Sequence, residues 1–228
     1  MFESKKYVFW QAFLFSVLIF GIGLLFGVFL EQSRISYVNT LFASSEISLL
    51  DVSAQSALLD GKFIPCEDAS KAILDLADRV FSEAQLLEKY GRANKINDEL
   101  KLAHRRYDLL RTILWIQTIN LQDRCILPNR VVYLYKYETD DIELKAKQVV
   151  WSRILLDLKE KNGGRIVLIP IAVDTNVSSL NILLRYYYIN KFPAVIVNEE
   201  IVLDELTDVE KLESYLNSGN STSKTTPR

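Results

Sequence analysis

A run of 24 residues without a charged side chain, from Tyr7 to Leu30, constrains this chain more than any other feature. As an α-helix rising about 1.5 Å per residue it would reach roughly 36 Å, enough to cross the hydrocarbon core of a bilayer with some tilt. Tyr7 and Trp10 lie where aromatic side chains meet lipid headgroups, next to Lys5 and Lys6. A cleaved signal peptide has a shorter apolar region and a small-residue cleavage site, which does not follow Leu30 closely. The run therefore predicts an uncleaved, single-pass membrane anchor.

The basic residues on either side of this run predict its orientation. Lys5 and Lys6 precede it, whereas Arg34 is the basic residue that follows within the distance over which such charges act. Because cytoplasmic segments carry the excess of Lys and Arg, the N-terminus is predicted in the cytoplasm and the C-terminal domain on the extracytoplasmic side. Residues 1–32 are thus interpreted as a cytoplasmic stub and a transmembrane helix.

Residues 33–127 have the apolar periodicity of α-helices. No Pro or Gly occurs from residue 33 to 60, and a break follows at residues 61–65. A second helix is predicted over residues 67–90 and a third from about Lys95, where apolar residues step by four and three as in coiled coils. The simplest arrangement is an antiparallel hairpin of the second and third helices, with the first helix or the next domain covering its other face.

The two cysteines flank this hairpin. Cys66 precedes the second helix and Cys125 follows the third, so an antiparallel arrangement brings both sulfurs to the same end. A disulfide is predicted there, and it would persist only in an oxidising compartment, in agreement with the outward orientation. Two other interpretations stay open from the sequence alone: a pair of inert buried thiols, and a reactive Cys66 activated at the start of a helix.

From residue 128 to 218 the pattern changes to strands alternating with helices. Strand-forming runs occur at residues 131–137, 165–174, 194–198 and 201–203, and helical runs at 141–161, 179–188 and 207–216. The order βαβ, α, ββ, α predicts an α/β domain with a small central sheet covered by helices on both faces. Residues 219–228 are rich in Ser and Thr and are predicted to form a disordered tail.

This order of elements, together with the segment Tyr-Ile-Asn-Lys-Phe-Pro-Ala-Val-Ile-Val-Asn at residues 188–198, resembles the thioredoxin-like fold. The resemblance covers residues 130–217, less than half of the chain. In that family a short loop containing a cis proline is followed directly by a strand and a hairpin, and Pro193 occupies that place here. The resemblance therefore implies a cis bond between Phe192 and Pro193, which intrinsic preference alone would not predict.

The redox motif of that family is absent from this sequence. Members that exchange disulfides have Cys-x-x-Cys between the first strand and the next helix, where the helix N-terminus lowers the thiol pKa. Here residues 138–143 read Glu-Thr-Asp-Asp-Ile-Glu. Asp140 followed by Glu143 is typical of a helix N-cap. We therefore expect no thiol chemistry from this domain, no catalytic residues and no cofactor.

The resemblance instead implies binding of polypeptide. Thioredoxin-like domains hold peptide strands against the cis-proline loop by backbone pairing, a form of strand addition. Phe192 and Pro193, facing Thr139, Asp140 and Asp141, would form that groove here. The leading hypothesis is a membrane-anchored, redox-inactive thioredoxin-like protein that binds a polypeptide or acts as an interaction module, and not an enzyme.

Two other functions stay open. A relative that works in a thiol-disulfide oxidoreductase pathway would use Cys66 and Cys125 as its redox pair. A structural membrane scaffold would self-associate as a homodimer through Gly23 and Gly27, whose spacing of four lets two membrane helices approach closely.

Composition argues against several further classes of function. A net charge of −2 and a pI near 5.6 give no overall electrostatic reason to bind nucleic acid, which would require a basic stripe. His104 is the single histidine and belongs to a charged segment of the third helix, so we expect a solvated side chain and no metal site. Asn176 and Asn220 begin Asn-x-Ser/Thr patterns and are candidate glycosylation sites of an exported domain.

Overall fold

The computed structural model describes residues 3–60, 64–93 and 98–218 of the 228-residue chain. Its elements are α1 (Glu3–Asp60), α2 (Cys66–Ala93), α3 (Asp98–Gln122), β1 (Asn129–Tyr135), α4 (Ile142–Asn162), β2 (Ile166–Ala172), α5 (Ser178–Tyr186), β3 (Ala194–Val197), β4 (Ile201–Leu203) and α6 (Val209–Ser218). The protein is therefore mixed α/β with a long N-terminal helix. The chain clusters into two compact units that divide between residues 48 and 49.

The uncharged run lies within α1, a single helix of 58 residues. Residues 7–30 have a mean hydropathy of 2.7 and are not buried, so the helix is long and apolar enough to cross a membrane. The helix continues to Asp60 because neither Pro nor Gly interrupts it after Gly27. A Cβ atom added at Gly23 or Gly27 would meet nothing within 4 Å, so both glycines face open space in the single chain. A dimer through them stays a prediction.

Helices α2 and α3 form the predicted antiparallel hairpin, closed by a disulfide between Cys66 and Cys125. The sulfur atoms are 2.03 Å apart and the two Cα atoms 5.2 Å apart, which confirms the pairing expected from the sequence. The two helices share a buried apolar core, with Ile73 of α2 and Leu110 of α3 both fully buried. This hairpin packs in one core with α5 and one face of the sheet.

The second helix extends further than the predicted range of residues 67–90. Helix α2 continues through Gly91 to Ala93, because a single glycine lowers helix stability by only about 1 kcal/mol and does not end a helix by itself. Residues 94–97, between α2 and α3, lie outside the described residues.

The four strands are arranged in the order β2-β1-β3-β4. Strands β1 and β2 are parallel and joined by the crossover helix α4, whereas β3 is antiparallel to both β1 and β4. Alternate residues of the strands face two separate apolar cores. Side chains of Val132, Leu134, Ile169, Ile171 and Ile196 belong to the core that includes α2, α3 and α5. Side chains of Val131, Tyr133, Val195 and Val197 belong to the core formed with α4 and α6.

The first of these cores joins the helical hairpin to the sheet. It contains residues of α2 and α3 together with residues of β1, β2 and β3. The last turns of α1 also belong to it, because Val52 and Leu59 are buried there. Arg124 reinforces this contact by donating to the carbonyl of Leu59 at 2.8 Å. The domain boundary predicted at residue 128 stays a prediction.

The free edge of β2 carries few groups that could pair with another strand. The N–H of Val173 donates to the carbonyl of Tyr135. The backbone N–H and C=O groups of the odd-numbered residues of β2 therefore point towards β1, and those of the even-numbered residues point away from it. Of the outward residues, Pro170 has no N–H, and Ala172 donates its N–H to the carboxylate of Asp108 at 3.1 Å. Helix α3 therefore reduces the number of backbone groups at this edge that could pair with another strand.

A second polar network ties α3 to the turn between β3 and β4. Glu199 accepts from the indole N–H of Trp115 at 3.0 Å and from the guanidinium of Arg130 at 2.6 Å. Arg130 also donates to the amide oxygen of Gln122 at 2.9 Å. The side chains of Arg130 and Glu199 are 9% and 7% exposed, so this ion pair is shielded from water. Asn198 and Glu199 have positive φ angles of 50° and 60°, as a tight turn requires.

Helix α5 begins one residue earlier than the sequence predicts. Val177, in an extended conformation, is the residue that precedes the first turn, and its side chain makes no capping hydrogen bond. Ser178, which precedes the predicted helical run of residues 179–188 and is a residue type that favours the cap position, is instead the first helical residue. Sequence preference for Ser at the cap is outweighed here by Val177, which is 5% exposed and packs in the core.

Removing the disulfide should lower the free energy of unfolding of the larger unit by about 4 kcal/mol, because the bridge closes a loop of roughly 60 residues in the unfolded chain. We expect this loss for the variant with Cys66→Ser and Cys125→Ser, measured by denaturant unfolding of the full chain in detergent. Cys66→Ala with Cys125→Ala is the control for buried hydroxyls, since Cys125 is 5% exposed. A loss below about 1 kcal/mol in both variants would contradict the prediction.

Candidate functional site

Three loops meet at the end of the sheet where β1 finishes. They are residues 136–141 after β1, residues 187–193 before β3, and residues 204–208 after β4. Leu134 pairs with Ala194, so Pro193 lies beside the last residue of β1. Asp204 is contacted by two lysines. The ammonium group of Lys191 lies 3.2 Å from the carboxylate of Asp204, and that of Lys147 donates to the backbone carbonyl of Asp204 at 2.6 Å. We call this part of the molecule the cis-proline end.

The peptide bond between Phe192 and Pro193 is cis, as the resemblance implied. Pro193 is buried directly before β3, and Phe192 is half-buried against the core shared with α2 and α3. The preceding Lys191 is 78% exposed even though it forms an ion pair with Asp204. The loop therefore packs the ring of Phe192 against the core, while Lys191 on its outer side is in solvent.

Of the three residues expected to face this loop, two serve to start α4. Asp141 accepts from the N–H groups of Glu143 at 2.9 Å and Leu144 at 3.1 Å, so it is the N-cap. Thr139 accepts from the N–H of Asp141 at 3.2 Å. The interpretation of Asp140 as the cap is wrong by one residue, because Asp141 is the extended residue before the first helical one. Asp140 itself is exposed.

Asp174, which follows β2, binds the loop after β1. Its two carboxylate oxygens accept from the N–H groups of Tyr137 and Glu138, both at 2.8 Å. Glu138 also forms an ion pair with Lys101 of α3 at 2.8 Å. These contacts hold the loop between the end of β2 and α3.

His104 is not the solvated residue that the sequence indicated. Its ring lies against the ring of Tyr137, with centroids 4.0 Å apart. Burial, together with the positive charge of Arg111, lowers the pKa of His104 to about 4. The imidazole is therefore neutral at physiological pH and acts as a packing group beneath the loop.

Asp108 is the charged group most deeply enclosed near this end, with 1% of its surface exposed. It accepts from the N–H of Ala172 at 3.1 Å, from the hydroxyl of Thr175 at 2.9 Å and from Arg111 at 3.3 Å. Burial nevertheless raises the pKa of Asp108, against the opposing effect of Arg111 and the hydrogen bonds. Because this carboxylate is sealed from solvent and its oxygens are occupied, its role is to hold α3 against β2.

The exposed residue that the sequence interpretation missed is Tyr188. It follows α5 in a Schellman motif, in which Tyr188 donates to the carbonyl of Arg185 at 3.2 Å and Ile189 donates to that of Leu184 at 2.9 Å. Tyr188 has a φ of 56° at the position where glycine is preferred, and its side chain is 90% exposed. The sequence predicted helix through residue 188, and a large residue at the C′ position leaves no signal that would have corrected this.

Other predicted site residues lie away from the cis-proline end or outside the described residues. The disulfide belongs to the hairpin, where Cys125 is 5% exposed. Asn176 is exposed with a φ of 58°, and its carbonyl accepts from Arg105 at 3.0 Å. Asn220 lies outside the described residues. Within residues 3–60, 64–93 and 98–218, no three His, Cys, Asp or Glu side chains are grouped so that they could hold a metal ion.

Comparison with known proteins adds no assignment. No family model and no curated protein matches the chain. A solved structure of a malarial protein is similar over 40% of this chain and 96% of its own, with 17% identity and a TM-score of 0.32. A TM-score this low carries no argument about fold or function.

Stability should fall on acidification through the titration range of His104. Its pKa is about 4 in the folded protein and 6.5 in an unfolded chain, so the unfolded state binds more protons between these values. The stability that His104 contributes is therefore present above 6.5 and is lost as the pH falls towards 4. Asp108 acts in the opposite sense, because an acid whose pKa is raised by folding favours the folded state at lower pH.

The variant His104→Phe separates the two effects, since it keeps an aromatic ring against Tyr137 and removes the titrating group. Unfolding in denaturant at about pH 7 and about pH 5 should show a larger loss of stability for the wild type than for this variant. An equal loss in both proteins would assign the pH dependence to other groups.

Proposed function

We propose that this chain is a single-pass membrane protein whose outer domain is a redox-inactive, thioredoxin-like module that binds an extended polypeptide at the cis-proline end. The thioredoxin-like assignment is supported by the strand order β2-β1-β3-β4, by the parallel β1-α4-β2 crossover and by the cis proline directly before β3. The segment between β1 and α4 has no cysteine, so binding without thiol exchange is the activity that this module supports.

The outward orientation of the domain is supported by two independent features. Residues 7–30 are long and apolar enough to cross a membrane, and the basic residues close to this span lie mostly on its N-terminal side. The disulfide between Cys66 and Cys125 is of the kind that persists in an oxidising compartment. Together they favour an anchor with its N-terminus in the cytoplasm and the disulfide-bonded domain outside.

The observation that carries the binding proposal is the exposure of Tyr188. Its left-handed conformation ends α5 through the Schellman motif and brings Ile189 into the core. The tyrosine side chain itself takes no part in that packing, because it is 90% exposed. Tyrosine is common among residues that dominate binding energy, so a side chain that protrudes from the loop in this way fits a binding residue. Tyr188 lies in the same loop as Phe192 and Pro193.

Two further exposed apolar side chains border the same end of the sheet. Ile142, the first residue of α4, is 81% exposed, and Leu206, in the loop after β4, is 45% exposed. With Tyr188 they provide side-chain contacts around the cis-proline loop, whose outer side is open to solvent. An extended peptide would pair with the loop backbone at Phe192 and contact these side chains.

The two free edges of the sheet are poorer sites for the same interaction. On β2 the outward groups include Pro170, which has no N–H, and Ala172, whose N–H is taken by Asp108. Strand β4 is only three residues long, which leaves Val202 as the residue with outward backbone groups. Backbone pairing with a partner is therefore favoured at the cis-proline loop rather than along the edges.

The variant Tyr188→Gly tests this proposal without unfolding the protein. Glycine suits the left-handed position, so the variant should be as stable as the wild type or more stable by up to about 1 kcal/mol. Loss of an exposed binding residue should nevertheless reduce the polypeptide that co-purifies with the full chain by about tenfold or more. Recovery is measured by quantitative mass spectrometry after crosslinking in native membranes and extraction into detergent.

Ile182→Ala is the matched control, because Ile182 is 60% exposed on α5 outside the loop. Phe192→Ala and Pro193→Ala should release the same polypeptide as Tyr188→Gly, although each of them also perturbs the core or the loop. The proposal fails if no polypeptide bound to the wild type is reduced by Tyr188→Gly relative to Ile182→Ala.

A further inference from the structure

Helix α4 has a second apolar surface on the side opposite its core. Its buried face is formed by Trp151, Leu155 and Leu158, which are at most 1% exposed. Three other apolar residues follow one another at intervals of seven, and they are 81%, 70% and 41% exposed. They are Ile142, Val149 and Leu156, which we call the α4 stripe. Isolated exposed apolar residues are ordinary, but a line of them along one helix is not.

The spacing gives this stripe the geometry of a helix-packing seam. At about 100° per residue, positions seven apart lie within roughly 20° of one another, so the three side chains form a nearly straight line. In coiled coils each of the two apolar positions of a heptad recurs at this spacing, and the side chains of such a line insert between side chains of a facing helix. The stripe therefore fits a helix better than it fits an extended strand.

Basic side chains border the stripe on both sides. Lys145 and Arg153 are exposed and lie about 40° to either side of Val149 around the helix axis. Glu160 comes only after Leu156, so the first turns of the stripe have a positive border. In coiled coils, residues at such flanking positions form salt bridges with oppositely charged residues of the facing helix and so determine which helices pair.

The positive border of the α4 stripe argues against a second copy of the chain as the facing helix. Antiparallel pairing about Val149 would bring Ile142 of one copy against Leu156 of the other, which is favourable. The same pairing would border the seam with Lys145 and Arg153 of both copies, and four basic side chains gathered at one interface are destabilising.

We propose that the α4 stripe is a docking site for an amphipathic helix of another protein, with apolar residues at heptad spacing and acidic residues beside them. The occupant packs its apolar line on Ile142, Val149 and Leu156, and its carboxylates face Lys145 and Arg153. At this site one helix face packs on another, whereas the cis-proline end uses backbone pairing, so the site does not rest on the proposed function.

The test uses the full chain in lipid nanodiscs and two synthetic helical peptides. Both peptides carry leucine at the two apolar heptad positions, and they differ only in having glutamate or lysine at the flanking positions. Fluorescence anisotropy should show the glutamate peptide binding at least about tenfold more tightly than the lysine peptide. The variant Val149→Asp should weaken the glutamate peptide by a similar factor, with an unchanged unfolding midpoint because Val149 is 70% exposed.

Ile182→Asp is the matched control, since it adds the same charge at an exposed apolar residue of α5. Loss of binding in Val149→Asp alone supports the proposal. Equal binding of both peptides, no binding of either, or equal loss in the two variants would overturn it. So would a wild-type dimer in sedimentation that Val149→Asp converts to a monomer, because the occupant would then be a second copy of the chain.

Discussion

The capture of one backbone N–H by a buried carboxylate organises the larger unit. Asp108 of α3 accepts from Ala172 at the end of β2, and this contact occupies an outward N–H group at that edge and ties α3 to it. The carboxylate is held in turn by Arg111 and Thr175, so removing it would leave a buried guanidinium and two donors without their acceptor. The loop that follows β1 then rests on α3 through His104 and Lys101.

The disulfide and the ion pair between Glu199 and Arg130 hold other parts of the frame that α3 and the sheet form. The bridge joins the ends of the α2-α3 hairpin, while Glu199 binds the turn between β3 and β4 to Trp115 of α3. Helix α3 is thus attached to the sheet by buried polar contacts at both ends of β1. Tyr188 lies on the surface of this frame, in the left-handed conformation that its Schellman motif requires.

Much of the architecture was predictable because it depends on local patterns. Apolar periodicity and turn residues gave the order of strands and helices, and the position of Cys66 and Cys125 at the two ends of a hairpin gave the disulfide. The polar contacts were not predictable, because the partners are distant in the sequence. Asp108 and Ala172 are 64 residues apart, and Trp115 and Glu199 are 84 apart. His104 was interpreted as solvated for the same reason, since its packing partner Tyr137 belongs to another element.

The two proposed surfaces share a residue, and this limits how they can be used together. Ile142 is the first residue of the α4 stripe and also borders the cis-proline end, because α4 starts at the loop that Asp141 caps. A peptide in the cis-proline loop that covers Ile142 would remove one of the three apolar contacts available to a docked helix. Binding of either partner would then lower the affinity of the other, because both cannot contact Ile142 at once. A single partner with a helix followed by an extended segment would instead use both surfaces without competition, and the tether between its two parts would raise its effective concentration at the second site.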